Sequence, residues 1–175
     1  MAEQFNIASF MKVVTERAVI FLTDDLHIEV HGIHYDQEKM QRLKLRYLTS
    51  LLAVEGSLRL YLAFSFEKPL IEYAFEIYAE DIEVAEEERE RYIEETAADM
   101  INIIVGNVTG SLPSQGSAVS LSPPIVISEA KTIFRNKGEL FYTACLETAH
   151  GQMDIHIVGP KDLFEDQCRR LSGYK

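Results

Sequence analysis

The apolar residues of this chain switch between two periods, and that alternation confines it to helices laid against a sheet. Ile7, Phe10, Met11, Val14, Ala18 and Phe21 recur mostly at spacings of three and four, the stripe of an amphipathic helix over residues 6–22. Residues 27–35 read as a short strand. Residues 45–54 and 58–66, rich in Leu, Tyr and Phe, flank the turn signal Glu55-Gly56-Ser57 and form a hairpin. Residues 67–78 are helical, with Pro69 in the first turn, where a missing N–H costs nothing. A longer helix covers 86–108. Its leading acids Glu86, Glu87, Glu88 and Glu90 complement the helix dipole and are otherwise a solvated start. Gly110, Pro113 and Gly116 mark a loop. Residues 119–127, 131–135, 140–147 and 153–158 read as strands, and 161–171 as a closing helix.

The expected fold is α+β, one domain over residues 1–175, with an antiparallel sheet and long helices packed on one face. Gly56 and Gly138, 82 residues apart, each open a strand that follows a strand. This echo suggests two copies of a helix–hairpin unit related by a pseudo-two-fold.

A net charge of −11 opposes binding to nucleic acid or an anionic membrane, because the long-range field repels phosphates. The N-terminus lacks the basic and apolar regions of a signal peptide, and no run approaches the ~18 apolar residues of a membrane span. The expected location is the cytoplasm. Cys145, inside an apolar run, reads as a small core residue, and its spacing from Cys168 fits neither a metal site nor a disulfide framework.

On the helix over 86–108, Ile93, Ala97, Met100, Ile101, Ile104 and Val108 fall on one side. Glu95, Asp99, Asn102 and Gly106 fall in line on the other, and Thr109 extends that line. A solvated helix face would also show acids and amides. Asn and Gly are nevertheless poor choices for an exposed helix interior, Gly costing about 1 kcal/mol relative to Ala. A glycine one turn beyond Asn102 removes bulk where a partner could dock closely.

The run DMINIIVGNVTGSL, followed by LSPPIVIS, resembles the signature of the CheC/CheX/FliY chemotaxis phosphatases, and among these it is most similar to CheX. The matching positions are the acid Asp99, the amide Asn102, the pair Gly106-Asn107, and Pro123-Pro124 at the head of a strand. Glu95 stands where the family tends to have Asp or Ser. The resemblance implies a phosphatase acting on the aspartyl phosphate of a phosphorylated CheY-like response regulator. Asn102 would orient the attacking water, Asp99 would pair with a lysine of the regulator, and Glu95, Gly106, Thr109 and Pro123 would meet the partner. It implies no cofactor of the chain's own, the Mg being the regulator's, and a homodimer joined through the sheet. The family acid is usually glutamate. Asp99 is shorter by about 1 Å of reach, and misplacement of that order can cost about 100-fold. Shifting by 82 residues places Arg17 and Ile20 opposite Asp99 and Asn102. Only one site then survives, as in CheX and unlike CheC.

Other chemistries fit less well. His27, His31 and His34 lie in a strand-like run, where His27 and His31 share a face and His34 points away. No thiol or acid stands at ligand spacing, so no metal site is expected. The chain has no Gly-x-Ser-x-Gly elbow, and residues 106–116 lack the lysine of a phosphate loop. A non-catalytic adaptor that binds a response regulator or flagellar switch component is the alternative function.

Overall fold

The computed structural model describes residues 6–36, 42–56, 59–111, 119–134 and 136–160. Helix α1 (Ile7–Ile20) is capped by the Asn6 side chain, which accepts from Ser9 N–H, and ends in a π turn over Phe21–Asp25. Strands β1 (Val30–Asp36), β2 (Arg42–Lys44), β3 (Leu48–Glu55) and β4 (Arg59–Phe66) follow. Next come α2 (Lys68–Tyr78) and α3 (Arg89–Gly106), the latter entered through a 3-10 turn over Glu86–Glu88. The chain continues with β5 (Ser120–Leu121), β6 (Ile125–Ile127), β7 (Thr132–Phe134), β8 (Glu139–Thr148) and β9 (Gly151–Pro160).

Among the described residues the main sheet is antiparallel, in the order β1-β8-β9-β4-β3 with β5 and β6 both on β3. Along β9 every residue from Met153 to Gly159 is buried, because the strand is covered on both faces. Met153, Ile155 and Ile157 meet the core shared with α1, α2 and α3. Val158 packs on the opposite face with Leu43 and Phe141, beneath the small sheet that β2 and β7 form.

The sheet order reads as the same succession from either edge, which is the expected duplication in space. The strand after each helix pairs with the hairpin of the other half, β1 with β8 and β5–β6 with β3. The two hairpins meet at β4 and β9, and β2 meets β7 with Leu43 opposite Ile133. The glycine echo marks the wrong register, however. Gly56 lies in the β3–β4 turn, whereas Gly138, at φ 90°, precedes β8. The buried positions Ile7, Phe10, Met11, Val14, Thr15 and Ala18 coincide with Ile93, Thr96, Ala97, Met100, Ile101 and Ile104 at a shift of 86 residues. Val13 and Glu16, not Arg17 and Ile20, therefore stand opposite Asp99 and Asn102.

Several expected elements differ from those observed. The strand expected over 119–127 breaks at Ser122-Pro123-Pro124, because proline has no N–H for a ladder. Ser122 covers the gap: its hydroxyl accepts from Ala53 N–H at 2.8 Å, and its own N–H donates to Ala53 O at 2.9 Å. His27 lies outside β1 at φ 53°, so it shares no strand face with His31. His31 reaches Glu29 at 3.7 Å and His34 reaches Glu147 at 3.3 Å. The closing helix expected over 161–171 lies outside the described residues.

Cys145 is half-buried rather than sealed in apolar surroundings, and its thiol accepts from Arg46 at 3.7 Å. Burial, with Asp154 beside it, pushes the thiol up to about 11. Arg46 also donates to both Asp154 oxygens at 2.6 and 3.1 Å, to Gln152 at 2.7 Å and to Glu67 at 2.9 Å. Burial opposes the guanidinium charge, but Asp154 and Glu67 outweigh it and raise its pKa. The second Glu67 oxygen accepts from Gln152 N–H at 2.9 Å. A Cβ on Gly151, at φ 118°, would stand 2.7 Å from that oxygen, so only glycine fits this turn.

His156, on β9, is 2 % exposed and shares a 2.8 Å hydrogen bond with Thr143. Burial lowers its pKa to about 4, more than Asp154 restores. Unfolded chains take up this proton near pH 6.5 while the fold refuses it, so stability falls as pH drops from 6.5 towards 4. The share due to His156 between pH 6.5 and 5 is roughly 2 kcal/mol. Urea midpoints at those two pH values measure the loss, and His156→Gln is expected to flatten it.

Candidate functional site

Helix α3 lies on the sheet with Ile93, Thr96, Ala97, Met100, Ile101, Ile104 and Val105 buried. It packs against α2 and β3. At its start Arg89 reaches Glu76 of α2 at 3.5 Å and lies 4.8 Å from the Phe75 ring centre. The helix is thus a rigid support, held along its apolar side and open along the other.

That open side presents Glu95, Asp99, Asn102 and Gly106, all exposed, as the spacing predicts. Residues three and four apart on a helix are surface neighbours, so the Asp99 carboxylate and the Asn102 carboxamide project side by side. Neither makes a hydrogen bond or ion pair with another described residue. Glu95 is different, since Arg91 approaches it at 3.6 Å along the same helix. Such an exposed pair contributes about 0.3–0.5 kcal/mol and exchanges readily.

Thr109 departs from the expected line. It is half-buried in the 3-10 turn Thr109–Ser111, and its hydroxyl donates to Gly106 O at 2.9 Å. It therefore ties off the helix end instead of facing outward. Pro123 is exposed between β5 and β6, and β6 packs against α3. Gly106 has no evident internal reason to be glycine, since a Cβ there would meet nothing within 4 Å among the described residues.

Two residues beside the pair were not apparent from spacing alone. Ile103 follows Asn102 and is 41 % exposed, and Tyr78, the last residue of α2, is 36 % exposed. Burial pushes the Tyr78 phenol up to about 12, and the carboxylates of Asp99 and Asp25 push the same way. The phenol therefore stands in the field of both acids and stays neutral at any physiological pH. An exposed isoleucine breaking the polar side of a helix was the one available sequence signal for Ile103. Nothing local marked Tyr78.

Among the described residues no three His, Cys, Asp or Glu side chains gather as a metal site. No described helix is long and apolar enough to cross a membrane. What this face offers is a free carboxylate and a free carboxamide, able to position rather than to attack.

A helix-backed antiparallel sheet of this topology is the fold of the CheC/CheX/FliY proteins. CheX from Desulfovibrio desulfuricans superposes with a TM-score of 0.71 at 15 % identity, over 85 % of this chain and 97 % of that one. CheX of Borrelia burgdorferi, solved as a CheX–CheY–BeF3–Mg2+ complex, gives 0.66 at 15 % identity, over 86 % and 96 %. FliY of Thermotoga maritima gives 0.55 at 15 % identity, over 97 % and 95 %. A search of curated protein sequences finds no match. The sequence profile of the family Chemotaxis phosphatase CheX matches residues 48–144, and the chain belongs to that family.

Replacing Gly106 by Ala adds a side chain in open space and removes the backbone freedom of glycine. The expected result is a gain of about 0.5 kcal/mol, read as a higher urea midpoint. A loss of stability would show that the position is constrained by the fold itself.

Proposed function

We propose that this chain is a phosphatase that removes the aspartyl phosphate of a CheY-like response regulator. The observation that carries the reading is the free Asp99–Asn102 pair, exposed on a supported helix, in a member of the CheX family. The Borrelia CheX has been seen together with CheY, BeF3 and Mg2+, and an analogous partner suits this face.

The regulator supplies the phosphoryl group and its Mg2+, and this chain brings no cofactor. Asp99 pairs with a lysine beside the phosphorylated aspartate and so sets the depth of α3. The Asn102 carboxamide then accepts a hydrogen bond from a water and aligns it with phosphorus. Water oxygen attacks in line, the bond from phosphorus to the aspartyl oxygen breaks, and the products are inorganic phosphate and a free carboxylate. The chemistry is positioning, the same use of an amide that GTPases make of glutamine. Glu95 and Pro123 lie at the rim of the docked helix, and Gly106 lets the partner approach its last turn. Thr109 contributes by holding that turn. The working form is a cytoplasmic homodimer joined through the sheet.

The short reach of Asp99 favours one alternative, an adaptor that binds the regulator without accelerating hydrolysis. Following phosphate on a phosphorylated CheY-like regulator separates the two, since an adaptor forms the complex and leaves the decay rate alone. Asn102→Ala is expected to abolish the acceleration, whereas Asp99→Glu retains or raises it. Gly106→Ala, despite its stabler fold, is expected to slow turnover. Undiminished acceleration by Asn102→Ala would falsify the assignment of the site.

A further inference from the structure

Asp99 is not a carboxylate on an open plain. Ile103 stands one turn further along α3, at the spacing that makes side chains neighbours, and is 41 % exposed. Tyr78 ends α2, which packs against α3, and the residue is 36 % exposed. The phenol feels the charges of both Asp99 and Asp25, the latter closing the π turn after α1. On α3 a branched aliphatic side chain thus stands one turn from Asp99, and the phenol that ends α2 lies within the field of that carboxylate and of Asp25. Neither apolar group is needed there for the core, which α3 fills from its opposite side.

We infer that Tyr78 and Ile103 form the apolar walls of a notch around Asp99 that selects and desolvates a lysine of the docked regulator. The inference rests on the phosphatase reading above and names residues of this same face that determine partner affinity. Charge complementarity fixes the occupant: Asp99 and Asp25 offer negative charge, Glu95 being met by Arg91, and a lysine presents an ammonium with an aliphatic stem. The stem lies against Ile103 and the Tyr78 ring while the ammonium meets the carboxylates. Excluding water from that contact strengthens an ion pair that would be weak if fully exposed. The walls would compensate for the missing methylene of Asp99 by tightening the pair it makes. They touch neither water nor phosphorus, so their effect falls on binding and not on the chemical step.

The test compares Ile103→Ser, Tyr78→Ala and, as a control, Phe134→Ser, which removes an exposed ring on the other side of the sheet. The probe is a set of CheY-like receiver domains, phosphorylated for kinetics and loaded with beryllofluoride and Mg2+ for binding. Ile103→Ser and Tyr78→Ala are expected to raise KM and Kd about tenfold with kcat within twofold, and Phe134→Ser to change neither. Thermal melts establish that each variant is folded. If Tyr78→Ala does not fold, Ile103→Ser alone decides. Unchanged KM and Kd in a folded Ile103→Ser, with Asn102→Ala still inactive, would overturn the notch and leave the phosphatase standing. If the unmutated chain leaves the decay of the phosphorylated regulator unaccelerated, the phosphatase reading fails instead, and the beryllofluoride titrations decide the notch alone: weakened binding sustains it, and unchanged binding overturns it.

Discussion

The ladder between β4 and β9 is the contact on which the other features depend. It runs from Tyr61 opposite Val158 to Phe66 opposite Met153 and joins the two halves of the chain at the middle of the sheet. Both strands are buried on both faces, so a slip of one residue would drive Asp154 and His156 into the helix layer and expel Ile155 and Ile157. The register is therefore fixed by burial, and it places α1 and α3 as related rods on a common floor. The helix that carries Asp99 and Asn102 inherits its rigidity from that floor. Its own composition contributes less, as the asparagine and glycine on its open side show.

Arg46 secures the same arrangement from the opposite face. It leaves the link between β2 and β3, reaches Asp154 and Gln152 on β9, and reaches Glu67 at the start of α2. Its partners lie up to 108 residues away in sequence. One side chain thus ties the lead-in to the first hairpin, the second hairpin and the helix between the halves. Removing it would leave Asp154 buried and unpaired, which is costlier than losing the attraction alone.

The helices and the two hairpins were legible in the sequence because each repeats one period over many residues. The open face of α3 was legible for the same reason: Glu95, Asp99, Asn102 and Gly106 keep a helical spacing that burial then respects. Features set by tertiary contacts were not legible. Strand β2 has three residues and exists because it pairs with β7, whose own run over 131–135 was readable while its partner was not. The break at Pro123 was visible in composition, but its repair by the Ser122 hydroxyl was not. Arg46 read as one polar residue in a strand-like run, with nothing nearby to announce its partners. Tyr78 belongs to a different helix from Asp99, and local pattern carries no information about which helix ends converge.

The internal two-fold has a consequence for stoichiometry. On α1, Val13 and Glu16 stand where α3 has Asp99 and Asn102, so the duplicated scaffold keeps two mounts and equips one. On the proposed function such a chain would be single-headed, engaging one receiver at a time, with no second site within it to give cooperativity. The outward residues Lys12, Glu16, Arg17 and Ile20 of α1 offer no counterpart of the carboxylate–carboxamide pair, and Lys12 and Glu16 meet each other at 3.9 Å instead.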